Sequence, residues 1–145
     1  VDEKMNKIFL CFAVLCCVQQ GFALLTPVSL GKHINKESKS LQANCKVLTG
    51  ATQDQIDQVR QGNFNQGSNI KNYAACIYLQ SRLMDKNFNF DVIMMDYFMP
   101  PKQDLYVEYL KCNLQWRNAD LSFVDKLWNQ IQCVYQHDPA NFIFI

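Results

Sequence analysis

The stretch Leu121-Ser-Phe-Val-Asp-Lys-Leu-Trp-Asn-Gln-Ile-Gln-Cys-Val-Tyr135 decides how this chain folds. At about 100° per residue, Leu121, Val124, Trp128, Ile131 and Tyr135 fall on one narrow stripe of a helix. Phe123, Leu127 and Val134 widen that stripe to a broad apolar face, which other elements must cover. Cys133 stands nine residues after Val124 and so on the opposite side. The pattern predicts a central core helix from about Asp120 to Gln136, closed by Pro139 and tied from its back.

The rest of the chain reads as helical too. Five glycines and few β-branched runs argue against a β-sandwich. Ile34, Leu41, Cys45 and Leu48 recur at steps of seven, four and three, which is one helical face, and Gly50 follows as its stop. Thr52-Gln-Asp-Gln55 is a capping box that opens a short polar helix ending near Gly62. Gly62 to Asn69 is a loop by composition. A third helix is expected from about Ser68 to Asp85, with Ile70, Tyr73, Ala74, Ile77 and Met84 on one stripe. Lys86 to Phe90 reads as a turn. Asp91 then caps a short, almost wholly apolar helix, Val92 to Met99, ended by Pro100-Pro101. A fifth helix covers roughly Asp104 to Arg117.

The cysteines divide in an informative way. Met5 reads as a start, Lys7 as a basic n-region, and Ile8 to Val18 as one apolar run too short to span a bilayer. Gly21-Phe-Ala23 puts small residues where a signal peptidase reads. Residues 1–23 are therefore expected to be an N-terminal extension plus a secretory signal peptide, and residues 24–145 one mature helical domain. Three of the seven cysteines fall in the leader. Cys45, Cys76, Cys112 and Cys133 remain, an even set in an oxidising compartment, and they read as two disulfides with three pairings open.

Composition excludes several classes. Fourteen basic and thirteen acidic side chains, net +1, are interspersed, so no clustered basic face awaits a nucleic acid. No zinc spacing is present. The two histidines, His33 and His137, build no acid–base constellation. Gln136-His137-Asp138 offers a His-Asp pair beside a cysteine, but the adjacent cysteines and glycine-rich calcium loop of secreted phospholipases A2 are missing. Asp91, Asp96, Asp104 and Glu108 read as solvated charges. No enzymatic role, cofactor or metal is expected, and no Asn-x-Ser/Thr glycosylation acceptor occurs.

At this point the residues resemble a known family, the insect odorant-binding proteins of the pheromone/general odorant-binding class. The family carries six cysteines, the second and third separated by three residues and the fifth and sixth by eight. Lys71-Asn-Tyr-Ala-Ala-Cys76-Ile is similar to the second-to-third segment, with Asn72 where the second cysteine would stand. Val124 to Cys133, followed by His137-Asp-Pro139-Ala-Asn-Phe142, is similar to the fifth-to-sixth segment, with Val124 at the fifth cysteine. Cys45 and Cys112 match the first and fourth. The two missing cysteines bond to each other in the family, so their joint loss leaves no orphan thiol, the pattern of its minus-C subgroup. The resemblance implies the pairing Cys45–Cys76 and Cys112–Cys133, and a compact all-α, six-helix bundle around an apolar cavity.

It also implies a secreted carrier, in sensillar lymph or another body fluid, that reversibly binds small hydrophobic ligands such as odorants or pheromones. Met84, Met94, Met95, Phe98, Met99, Phe123, Val124, Trp128, Tyr135 and Phe142 are the expected lining, methionine being suited to adaptable cavities. Tyr97 and Tyr135 are the expected polar contacts. Each apolar stripe is equally well read as plain core. The tail Phe142-Ile-Phe-Ile145 is expected to cover or enter the pocket; packing outside the third helix, or against a second copy, is the other possibility. His137, before this tail, is placed to sense pH or simply to face water. A membrane chemoreceptor is the further partner implied, with the carrier a monomer or weak homodimer. The rival reading is a secreted helical interaction or signalling protein using an exposed apolar patch on the methionine-rich helix or the tail.

Overall fold

The computed structural model describes residues 27–98 and 103–145, with side chains from 37–98 and 106–145. The expected leader, Met99 and Pro100-Pro101 lie outside the described residues. Contacts divide the chain into Val1–Lys36 and Glu37–Ile145; the second unit holds both disulfides and the core.

Six helices and no strand occur among the described residues: α1 (Pro27–Thr49), α2 (Gln53–Arg60), α3 (Ser68–Gln80), α4 (Val92–Phe98), α5 (Gln103–Arg117) and α6 (Phe123–His137). None is long and apolar enough to cross a membrane. The capping box forms as read: the Thr52 hydroxyl accepts from the Gln55 amide at 3.2 Å, and the Gln55 side chain accepts from the Thr52 amide at 3.0 Å. Gly50 stops α1 in the left-handed region at φ +71°, its amide donating to the Lys46 carbonyl at 2.9 Å. Asp91 caps α4 through the amides of Ile93 and Met94.

Three boundaries or faces differ from the sequence reading. The third helix stops at Gln80, five residues before the expected Asp85. The Ser81 hydroxyl bonds the Tyr78 carbonyl and the Leu83 amide, and Arg82 turns to φ 58°. Such local side-chain bonds compete with the helix ladder. Met84 then pairs with Phe90 in an isolated antiparallel bridge around a turn tied by Asp85. The last helix starts at Phe123 rather than Asp120, because Ser122 is the residue that caps it, accepting from the Asp125 amide at 3.1 Å. Leu121 therefore lies outside the helix and is 44% exposed. On α1, Cys45 is buried and Leu41 half-buried, but Leu48 is 71% exposed. The bond to Cys76 fixes the buried line of α1, and Leu48, 300° on from Cys45, falls to the water side.

Helix α6 is central, packing against α5 and α3. Leu127, Ile131 and Val134 are buried with Ile70, Tyr73 and Ile77 of α3, Ile56 and Val59 of α2, and Tyr109 of α5. Each such aliphatic side chain contributes about 1.5–3 kcal/mol by leaving water. One polar pair sits among them. Wholly buried Gln130 accepts from Asn113 Nδ2 at 3.2 Å, and Asn113 also donates to the Phe88 carbonyl at 3.1 Å.

Candidate interior binding site

The sulfurs pair as the resemblance implied. Cys45–Cys76 ties α1 to α3 with Cα atoms 5.7 Å apart, and Cys112–Cys133 ties α5 to the back of α6 at 5.8 Å. His137 lies one turn beyond Cys133, and its ring nitrogen joins the two sulfurs of the second bridge within 4.8 Å. Those sulfurs are bonded to each other, so neither is a thiolate that could ligate a metal. His137 instead stands 3.3 Å from the Glu108 carboxylate of α5, which also takes Lys111 at 2.7 Å.

The C-terminal segment runs inward. Phe144 is only 7% exposed and belongs to the core cluster. Its ring meets Trp128 and Tyr73, with centroids at 6.5 and 6.1 Å, and stacks on Phe142 at 6.3 Å. Phe142 in turn abuts Tyr135 and Phe64. Three helices hold the tail by its backbone. Arg60 of α2 donates to the Phe144 carbonyl at 2.8 Å, Tyr73 of α3 to Ile145 at 2.8 Å, and Tyr109 of α5 to Ile143 at 3.0 Å.

Beneath the tail is an apolar cavity of about 30 Å³, walled by α3, Leu83, Phe98, Tyr109 and residues 143–145. Small-molecule pockets generally measure roughly 300–1,000 Å³, so this one has room for water but not for an odorant-sized guest. Three of its wall residues, Tyr73, Tyr78 and Tyr109, carry phenols. Tyr109 gives its only proton to Ile143, so in its hydrogen bond with Tyr78 it is the acceptor. Burial pushes the Tyr73 phenol up to about 12, and raises Tyr109 and Tyr78 well above the ordinary tyrosine range. All three are neutral donors across the physiological range.

The expected lining residues distribute unevenly. Phe98 walls the cavity. Met84 and Met95 are buried in the core, and Met94 packs against it. Phe123 meets Phe88 at 5.7 Å, and Trp128 meets Phe64 at 5.7 Å. Val124 and Asn72 line one surface depression between α6 and α3, beside the Lys71–Asp125 pair at 3.1 Å. The hydroxyls expected to face a ligand are engaged elsewhere: Tyr97 donates to Glu37 at the surface, and Tyr135 to the Gln61 carbonyl. Tyr73, Ala74, Ile77, Tyr78, Leu83 and Tyr109 are helix and turn residues of the wall that the sequence reading did not assign to the lining. Tyr73 lay on the α3 stripe and was visible as an interior residue; nothing local marked Tyr109.

Comparison with known proteins bears on this architecture. The model of the PBP/GOBP family matches residues 28–137. Among solved structures, Apis mellifera odorant binding protein 5 is 25% identical with a TM-score of 0.61, over 79% of this chain and 96% of that one. Odorant binding protein 4 of the predator Chrysopa pallens is 18% identical with a TM-score of 0.57, over 84% and 99%, and bears on the fold alone. A comparison with curated proteins finds no match.

Proposed function

The chain belongs to the PBP/GOBP family, the insect odorant-binding proteins, and we propose that it is a secreted carrier that reversibly buries small hydrophobic ligands beneath its C-terminal tail. One observation carries the reading: an apolar segment, Phe142 to Ile145, covers a small void, inserts Phe144 into the core and is fastened by three side-chain-to-backbone hydrogen bonds. A core made by helix packing alone needs no such plug. Withdrawal of the tail converts the void into a pocket walled by Phe98, Leu83 and the α3 face.

The mechanism is exchange. A ligand gains about 25 cal/mol for each Å² of apolar surface removed from water, and must exceed the burial the tail gives up. Micromolar affinity, roughly −8 kcal/mol, is the corresponding expectation. The absence of a cysteine at Asn72 and Val124, the minus-C pattern, leaves α3 and α6 joined there by an ion pair instead of a covalent bond. That favours an interior which opens more readily. The rival reading, a docking patch, retains Val92 and Ile93 of α4 and Ile143 of the tail, which are exposed, while Phe144 is turned inward.

Titration with a fluorescent hydrophobic probe tests the proposal. One saturable site per chain, from which alcohols, esters or terpenoids displace the probe, is expected. A chain that takes up no probe, or releases none to such competitors, is not a carrier.

A further inference from the structure

Resting on the carrier reading above, we infer that Tyr73 and Tyr109 determine specificity by donating hydrogen bonds to the ligand, so that the pocket selects apolar molecules bearing a carbonyl-type acceptor over plain hydrocarbons.

The tail itself shows what the site accepts. The Phe144 side chain is buried in the interior while main-chain oxygens on either side of it meet the phenols: Ile145 O at 2.8 Å from Tyr73 and Ile143 O at 3.0 Å from Tyr109. Both tyrosines are almost wholly buried. A ligand that displaces residues 143–145 takes those acceptors away. Phenolic donors left in an apolar cavity lose their water as well as their partner, which is the costly case for a hydrogen bond. A ketone, ester or aldehyde restores an acceptor; a hydrocarbon of equal length does not.

The two donors are also grouped. Ile143 and Ile145 are two residues apart, so their carbonyls lie at most about 7 Å from each other. One end of an elongated ligand therefore reaches either phenol while its chain takes the place of the Phe144 and Ile145 side chains. Tyr78 donates to Tyr109, which leaves the Tyr109 proton for the other acceptor and polarises it. Discrimination of this type, where a site built for a hydrogen bond meets a molecule lacking it, is stronger than discrimination by a methylene.

The test uses the full chain, N-phenyl-1-naphthylamine as probe, and two competitors of equal length, a straight-chain methyl ketone and the matching hydrocarbon. The ketone is expected to displace probe at a concentration at least roughly tenfold lower. In Tyr73→Phe and Tyr109→Phe that ratio falls toward one, while the probe itself binds more tightly, because each variant also removes a hydrogen bond that fastens the tail. A ratio near one in the wild-type chain overturns the inference without any variant, as does a ratio preserved in both. Failure of the carrier reading looks different: the probe then finds no saturable site at all.

Discussion

Gly62 and Tyr135 are packed so closely that no side chain fits on the glycine: an ideal β-carbon there would stand 2.4 Å from the Tyr135 hydroxyl and 2.5 Å from Cζ. Gly62 is also in the left-handed region, at φ +87°. The tyrosine has little freedom to move aside. Its hydroxyl donates to the Gln61 carbonyl at 3.2 Å, and its ring meets Phe64 and Phe142 edge-on at 5.3 and 5.1 Å. Gly62→Ala is expected to lower stability by about 2–4 kcal/mol, through backbone strain and overpacking together. Urea denaturation measures it; a change under about 1 kcal/mol would show that the ring swings away freely.

A restored staple should tighten the molecule. Asn72 and Val124 border one depression between α3 and α6. A bridge between them closes a longer loop than the native ones, whose sequence separations are 31 and 21. In the chain-entropy account, Asn72→Cys with Val124→Cys adds up to about 4 kcal/mol. Amide exchange in α3 and α6 is expected to slow, and the range of ligands bound to narrow. Unchanged protection in both helices would count against a role for the missing cysteines in loosening the interior.

Arg60 restrains the tail. Its Nε donates to the Phe144 carbonyl at 2.8 Å, while its Nη1 pairs with Asp57, also at 2.8 Å. The side chain is 39% exposed, so the bond is worth about 1 kcal/mol rather than the upper range for charged donors. Arg60→Ala is expected to populate the tail-out state more and so raise probe affinity about fivefold. Titration of both proteins decides; equal or weaker affinity in the variant would mean that Arg60 does not oppose ligand entry.

Acid should weaken the junction of α3 and α6. The Ser122 hydroxyl and then the Lys71 ammonium bond to Asp125, and hold its carboxyl below the ordinary aspartate range. A depressed native pKa stabilises the fold above the unfolded value and stops doing so as pH falls through the native one. The stability difference between wild type and Asp125→Asn is therefore expected to be full at about pH 6 and much smaller at about pH 2. Denaturation at the two pH values measures it, and an equal difference at both would refute the sign.

Local features were legible from the chain alone. The α6 face, the Thr52 capping box and the Asp91 cap are set by neighbours within a turn or two, so spacing reveals them. The end of α3 was not: a serine hydroxyl and a left-handed arginine stop it, and neither carries the signal of a glycine or proline. Gln130 was equally hidden. It stands three residues after Leu127 and four before Val134, on the buried face, and its side-chain oxygen is accommodated by Asn113 of another helix.

What the amino-acid order determined by itself was the helical class, the division of the cysteines and the family pattern, because periodicity and residue spacing are properties of the chain. The tertiary structure alone decided which phenols face the interior and where the tail goes. Tyr73 meets Ile145 and Tyr109 meets Ile143 across sequence separations of 72 and 34 residues. Hydrogen bonds of that range depend on how whole helices are oriented, and no local pattern encodes that orientation.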